Sequence, residues 1–210
     1  MNIKFNRNEH VYNSDAFEEI IKDTIRFFNG TPVLNLPPKD KFHGTGVYAI
    51  YYTGKDNLYR GISERNRLEF SLPIYVGKAV PRGWRKARIE DQNDIKTYEL
   101  NGRLREHSRS ISLVNNLNLQ DFQCRFMILE GNSSSLIGTV EAALIRYYRP
   151  LWNIKLDGFG NHDPGKGRYN QAKSDWDIIH SGRTWAEKCK GKPNESDKVK
   201  EQITKYLDKL

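Results

Sequence analysis

The sequence predicts an α+β domain, with a small mixed core of three strands and three helices between residues 44 and 156. Three runs rich in β-branched and aromatic residues predict strands, at positions 46–52, 73–77 and 122–129. Apolar residues recur at helical spacing around 84–91, 98–110 and 138–148, and Pro150 stops the last of these patterns. The chain thus contains both strand patterns and helix patterns, which is the main reason to expect a mixed fold.

An N-terminal helix is expected before this core. Apolar residues at positions 17, 20, 21, 25 and 28 fall on one helical face. Ser14 or Asn13 could cap the start of the helix, and Asn29-Gly30 would end it. Residues 31–41 contain three prolines and predict an extended connector. We therefore assign residues 1–43 to an N-terminal helical arm.

A C-terminal extension, residues 157–210, is expected to belong to the same compact unit. Its first part, 157–169, is rich in glycine, carries Lys166 and Arg168, and predicts a flexible basic loop. Val199, Ile203, Tyr206 and Leu210 recur on one side of residues 195–210, which predicts a final amphipathic helix.

The charge balance indicates a polyanionic partner. The chain has 34 Lys and Arg against 26 Asp and Glu, a formal net charge of +8 and a pI near 9.4. Nucleic acid is the commonest such partner, although charge alone equally allows a protein that is merely basic. Two cysteines, Cys124 and Cys189, do not indicate a disulfide framework. No apolar run resembles a signal peptide or a membrane span, so we expect a protein of the bacterial cytoplasm.

Two tyrosine-bearing tripeptides are the most informative motifs. Gly46-Val47-Tyr48 opens the first predicted strand and Tyr75-Val76-Gly77 closes the second. Downstream follow Arg103 and His107 at helical spacing, Glu141 in a predicted helix, and Asn153 after a proline. A phenol, a guanidinium, an imidazole, one carboxylate and an amide suit phosphodiester cleavage with one divalent metal. Each residue alone has a plainer interpretation, since most buried strand tyrosines only pack.

In this order the residues resemble those of the GIY-YIG nuclease family, with valine for isoleucine in both halves of its name motif. The resemblance covers about residues 44–156 and implies a three-stranded, mostly antiparallel sheet flanked by helices. It implies a catalytic set at six positions: Tyr48, Tyr75, Arg103, His107, Glu141 and Asn153. Within the family, a compact chain without a zinc-binding cysteine cluster or a repeated DNA-binding tail is most similar to the type II restriction endonucleases.

The resemblance also implies roles for these residues. Glu141 would bind one Mg²⁺, which Mn²⁺ could replace, because Mg²⁺ keeps water ligands and accepts phosphate oxygens. Tyr48 would be the general base, with His107 accepting its proton. Tyr75 would orient the water or bind the phosphate, and the two tyrosines could exchange roles.

The remaining two members would act on the phosphate and on the scaffold. Arg103 would bind the scissile phosphate, because its planar fork matches two phosphate oxygens. Asn153 would orient Glu141 or the backbone around it.

The spacing of the two tyrosines departs from the family, in which about ten residues separate them. Here they are 27 positions apart. The inserted segment, residues 53–72, is basic and predicts either an arm that reaches into a DNA groove or a solvated loop. Candidate DNA-binding residues are Arg60, Arg65, Arg67, Lys78, Arg82, Arg85, Lys166 and Arg168.

The sequence thus predicts a site-specific double-stranded DNA endonuclease of the restriction type. Since one site cuts one strand, cleavage of a palindrome predicts a C₂ homodimer, with a contact from the N-terminal helix or the insertion. The alternative is a protein of the same fold that binds DNA without efficient or specific cleavage.

Overall fold

The computed structural model describes residues 4–81, 83–84 and 97–210. Within these residues the chain is α+β, as predicted. The helices are α1 (Asp15–Gly30), α2 (Arg60–Leu68), α3 (Glu99–Ser112), α4 (Ile137–Tyr148), α5 (Leu151–Ile154), α6 (Asp175–Ile179) and α7 (Ser196–Leu207). The strands are β1 (Leu34–Asn35), β2 (Gly46–Tyr52), β3 (Tyr75–Ala79) and β4 (Phe122–Ile128). The predicted helix around 84–91 lies almost wholly outside the described residues.

The four strands form one antiparallel sheet in the order β1-β4-β2-β3. The three predicted strands are confirmed within two residues of their expected bounds. The fourth, β1, is a correction to the expected count of three. It has only two residues and lies inside the proline-containing connector, so no alternating pattern could indicate it.

Strand β2 is central, and all seven of its residues are buried. Alternate residues point to opposite faces of a sheet. One face carries Tyr48 and packs beneath α2, α3, α5 and the C-terminal helices, whereas the other carries Val47 and packs on α4 and the end of α1. Helices therefore cover both faces, and side chains from either layer can reach β3 at the edge of the sheet.

The insertion between β2 and β3 forms a packed helix, neither a projecting arm nor a solvated loop. A 3₁₀ turn, Asn57–Tyr59, leads into α2, and Tyr59 and Ile62 are buried beneath it. The Asn66 amide donates to the carbonyls of Tyr52 and Leu72, which ties the two ends of the insertion together. The segment is therefore part of the folded domain.

The helices begin and end at residues that favour helix termini. Ser14 Oγ accepts a hydrogen bond from the amide of Phe17, which caps α1 as predicted. Helix α4 ends when Arg149 adopts a left-handed conformation before Pro150. Helix α7 buries Val199 and Ile203, as its predicted apolar face requires. Among the described helices, none has the length and apolar content needed to cross a membrane.

Candidate active site

The first contact of the candidate site joins β2 to α3. Tyr48 Oη lies 2.6 Å from Nε2 of His107, and both side chains are almost completely buried. Burial, and next the positive charge of Arg103, hold the pKa of His107 well below its usual value. The ring is therefore neutral near pH 7, and with its proton on Nδ1 it can accept the phenol hydrogen through Nε2.

Tyr75 lies at the start of β3, beside this pair. Its ring centroid is 6.3 Å from that of Tyr48 and 5.2 Å from that of His107, and it is partly exposed, unlike Tyr48. Burial raises the pKa of both phenols above the usual value; Arg103 opposes this rise, and the charge of Glu141 adds to it. The two phenols thus share one electrostatic environment.

Arg103 precedes His107 by one helical turn, so both side chains leave the same face of α3. The guanidinium is half-buried, and its Nη1 donates to Oε2 of Glu106 at 2.6 Å. It faces both phenols closely enough to oppose the rise in their pKa. A fixed cation in this position can neutralise charge on a phosphate group.

Glu141 reaches the site from the opposite face of the sheet. It lies on α4, where its Oε2 accepts a hydrogen bond from Lys78 Nζ at 2.6 Å. Lys78 is paired with Val47 across β2 and β3, so it shares the α4 face, whereas Tyr48 and Tyr75 lie on the α3 face. The candidate site therefore surrounds the edge strand β3.

Asn153 has a different partner from the one expected. Its side-chain oxygen accepts from the amide of Val76 and its side-chain nitrogen donates to the carbonyl of Val76, both at 2.8 Å. The amide group thus satisfies the outward-facing backbone groups of an edge strand, as a neighbouring strand would. Asn153 aligns the backbone between Tyr75 and Gly77, and both of its side-chain hydrogen bonds go to Val76 and not to Glu141.

The predicted DNA-binding residues are dispersed. Lys78 is inside the site, and Lys166 and Arg168 are exposed in a 3₁₀ turn that follows the glycine-rich stretch. The three arginines of the insertion are exposed but make local contacts: Arg60 with the Asn57 side chain, Arg65 with the Leu210 carbonyl, and Arg67 with the carbonyls of Thr53 and Gly54. Arg82 and Arg85 lie outside the described residues.

The glycine-rich stretch contributes contacts that were not predicted. The ring of Phe159 stacks on His107 with centroids 4.6 Å apart, and Nε2 of His162 lies 2.6 Å from Arg103 Nη1. The backbone of this stretch is bound by Arg183, which is itself buried. In the sequence these residues follow a polar, glycine-containing pattern that is typical of any loop, so no signal distinguished them.

A small antiparallel sheet that carries two phenols, an imidazole, a guanidinium and a lysine–glutamate pair around one edge strand defines a nuclease of the GIY-YIG class. The chain belongs to the Eco29kI GIY-YIG domain family, a family of type II restriction enzymes, whose model matches residues 40–207. The protein is thus a restriction-type nuclease, a hydrolase whose class acts on DNA. A comparison with curated proteins found no match.

Nucleases of this class usually use a divalent metal, and the donor set around Glu141 fits a hydrated one. The Glu141 side chain is partly exposed, and its contact with Lys78 is made by Oε2, so Oε1 is the oxygen that an ion would take. Across the described parts of the chain, no cluster of three or more His, Cys, Asp or Glu could enclose a metal. One carboxylate suits Mg²⁺, which retains several waters.

Proposed function

We propose that the protein is a type II restriction endonuclease, which hydrolyses phosphodiester bonds at a specific site in double-stranded DNA. The observation that carries the proposal is the buried contact between Tyr48 and His107 beside Arg103 and Tyr75. A buried tyrosine–histidine contact alone does not indicate catalysis, since Tyr59 and His180 form another one at 2.6 Å. The Tyr48–His107 pair differs because the guanidinium of Arg103 acts on its phenol and the partly exposed Tyr75 lies beside it. Membership of the Eco29kI family supports the same reaction.

Tyr48 is the general base of the proposed reaction. An isolated phenol is a poor base at pH 7, because it holds its own proton until about pH 10. His107 lessens this obstacle, since Nε2 can take the phenol proton while the phenol oxygen takes one from water, and the phosphate charge of bound DNA would offset the Arg103 charge that helps to depress the pKa of His107. The burial that raises the pKa of Tyr48 favours such a relay over a free phenolate.

The burial of Tyr48 sets a condition on this mechanism. Its side chain has no solvent exposure. DNA binding must therefore open a path for one water molecule to the phenol. Tyr75 is partly exposed and lies at the entrance, so it orients this water or binds a phosphate oxygen.

Arg103 binds the scissile phosphate and neutralises the charge that develops there. Lys78 places a second cation beside Glu141. Glu141 binds Mg²⁺, with Mn²⁺ as a substitute, and the metal when bound supplies Lewis-acid stabilisation of the leaving 3′ oxygen. Asn153 keeps β3 in the register that presents Tyr75 and Lys78.

We further propose a C₂ homodimer on a palindromic site, because one active site cuts one strand. The face of α1 offers a contact surface: Phe17 and Ile20 are almost half exposed and Phe27 is 63% exposed. Light scattering of the protein bound to its cognate DNA site tests this step. A monomer on cognate DNA would exclude the dimer without affecting the proposed chemistry.

The function itself is tested by incubating the purified protein with plasmid DNA of mixed sequence and Mg²⁺. Discrete fragments with a common end sequence are expected, and EDTA should prevent their formation. A smear or random nicking would mean a nuclease without site specificity. Binding of the plasmid without any cleavage would replace the proposal with a DNA-binding role.

A further inference from the structure

A short segment of the C-terminal extension, residues 158–162, forms a wall of the candidate active site. The ring of Phe159 stacks on His107, with an interplanar angle of 18°, and meets Tyr75 edge-on at 5.0 Å. A Cβ at Gly160 would lie 2.8 Å from Tyr75 Oη, so the backbone approaches this phenol closely. The segment therefore contacts both rings that flank Tyr48.

His162 ends this segment and contacts the phosphate-binding arginine. Its Nε2 lies 2.6 Å from Nη1 of Arg103. An arginine N–H can only donate, so Nε2 is the acceptor in this contact and the ring proton lies on Nδ1. The same Nη1 also donates to Glu106. Since Nη1 carries two hydrogens, these two acceptors match its full donor capacity.

The backbone of the segment is held by a buried cation. Arg183 donates to the carbonyls of Gly158 and Phe159 at 2.9 and 3.0 Å, and to both carboxylate oxygens of Asp177 at 2.6 and 2.7 Å. Arg183 and Asp177 are each 2% exposed. This buried ion pair has all of these hydrogen bonds satisfied. It therefore holds the backbone of the segment in one position.

We propose that His162 is a positioning residue of the nuclease reaction, which acts through Arg103. Glu106 on the same helix and His162 on the wall segment hold Nη1 from two directions. This restrains the rotation of the guanidinium plane and assigns Nη2 and Nε to the scissile phosphate. The proposal rests on the proposed nuclease function and adds to it a residue outside the six that match the family motif.

The position of His162 suits this positioning role but does not allow direct proton transfer to or from the reacting water. Its contact with Arg103 uses the nitrogen that points into the site, so that nitrogen is not free to act on a water. A misplacement of about 1 Å in a catalytic group can cost about a hundredfold in rate. Loss of the His162 contact is therefore expected to lower the rate of the chemical step while leaving DNA affinity intact.

The experiment compares His162→Ala with His162→Gln in single-turnover cleavage of plasmid DNA with Mg²⁺. The alanine variant should lower the maximal rate by about 10- to 100-fold, with the half-saturating protein concentration unchanged. The glutamine variant supplies a side-chain oxygen that can accept from Nη1, so it should recover most of the rate. His10→Ala removes an exposed imidazole from the N-terminal segment and serves as the matched control.

A double-variant cycle tests whether His162 acts through Arg103. In the Arg103→Ala background, His162→Ala should cause no further loss of rate. A further loss that multiplies the first would show that the two side chains act independently and would overturn the proposal. Equal cleavage by the wild type and His162→Ala would overturn it as well.

A readout that does not need cleavage separates this proposal from the function on which it rests. In ¹⁵N-labelled protein, the Nη1–Hη1 signal of Arg103, assigned by its absence in Arg103→Lys, should be resolved from that of Nη2 and should exchange slowly with solvent in the wild type and in His162→Gln, because both of its hydrogens are bonded. It should exchange faster in His162→Ala. If this difference is found but the wild type does not cut DNA, the contact stands and the nuclease function fails. If the signal is the same in all three proteins, the positioning role is refuted.

Discussion

Gly77 lies directly opposite Tyr48 where β2 pairs with β3. A Cβ at position 77 would lie 2.4 Å from Tyr48 Oη and 2.6 Å from its Cζ. The phenol thus occupies the volume that any side chain at position 77 would need. The glycine of the second tripeptide is therefore required by the packing of the tyrosine of the first.

Gly77→Ala should displace the Tyr48 phenol from His107. We expect a fall of about a hundredfold in the cleavage rate, because a catalytic group is moved by about 1 Å. Gly61→Ala is the matched control, since a Cβ there meets no atom within 4 Å and a helical glycine is replaced by a better helix former. Rates and thermal unfolding midpoints of both variants are measured, and an unaltered rate in Gly77→Ala would contradict the assigned position of the phenol.

Glu141→Gln should remove cleavage and keep DNA binding. The amide retains the size of the side chain but loses the negative charge that would bind Mg²⁺, and we expect a loss of at least about a thousandfold in rate, or about 4 kcal/mol. Plasmid cleavage and gel-shift binding are measured in parallel. Glu201→Gln is the matched control, because Glu201 also pairs with a lysine, Lys205, but on the exposed surface of α7 away from the site. Wild-type cleavage by Glu141→Gln would show that the metal lies elsewhere.

Tyr48→Phe and Tyr75→Phe together identify the general base. Removal of the base should lower the rate by about 10²- to 10⁴-fold, and we expect this for Tyr48, whose hydroxyl has a proton acceptor at 2.6 Å. Tyr75→Phe should lose about tenfold or less, as its role is orientation. The reverse order of the two losses would mean that the phenols exchange roles.

The same comparison can be extended to the proton acceptor. His107→Ala should not add to the loss in Tyr48→Phe, because the two side chains transfer one proton as a unit. Single-turnover rates at saturating protein are measured for the wild type, for each single variant and for the double variant.

Asn153→Ala should destabilise the domain through strand β3. The change leaves the outward-facing amide and carbonyl of Val76 without their partners, which costs about 1–3 kcal/mol in the free energy of unfolding. Chemical denaturation measures this loss. Asn194→Ala serves as control, since its exposed hydrogen bond with Asp175 should be worth less than about 0.5 kcal/mol. Equal stabilities would argue against the clamp on Val76.

The buried histidines make stability depend on pH. Burial, followed by the charge of Arg183, lowers the pKa of His180 to about 3, and burial lowers that of His107 well below its usual value. Below about pH 6.5 the unfolded chain therefore binds protons that the folded chain does not, and the free energy of unfolding falls as the pH falls. For His180 alone, the fall between pH 6.5 and 5 is about 2 kcal/mol.

Urea denaturation at pH 7 and pH 5 measures this effect. His180→Gln should reduce the pH dependence, because it removes one of the two buried rings that would bind a proton only after unfolding. His180 accepts a hydrogen bond from the Tyr59 hydroxyl through Nε2 and donates one from Nδ1 to Oδ1 of Asn116, so this variant will also be less stable at pH 7. A free energy of unfolding that stays level from pH 7 to pH 5 would falsify the neutral buried state of both rings.

Much of the catalytic core was predictable because its signals are local. Strands β2, β3 and β4 have dense apolar patterns, and the spacing of Arg103 and His107 alone places both on one helical face. The order of the six motif residues then indicated the family. Their roles in cleavage stay predictions, with the partner of Asn153 corrected to the backbone of Val76.

The parts that were not predicted depend on contacts between distant segments. Helix α2 has few apolar residues and buries Ser63 and Asn66, so its sequence lacks a helical apolar period. Likewise, nothing local in the 157–169 stretch indicates that Phe159 and His162 meet residues more than fifty positions earlier in the chain. Such contacts follow from tertiary packing, which no short sequence pattern encodes.

The buried bond network of Arg183 has a practical consequence for protein engineering. A shortened nuclease domain designed from the motif residues alone would end soon after Asn153. It would omit the wall segment, residues 158–162, and Arg183, which holds that segment in place. Fusion of such a shortened domain to a foreign DNA-targeting module should therefore yield a poorly active hybrid. A unit that can be transferred to another protein has to extend through Arg183, so exchange of the C-terminal extension also exchanges one wall of the candidate active site.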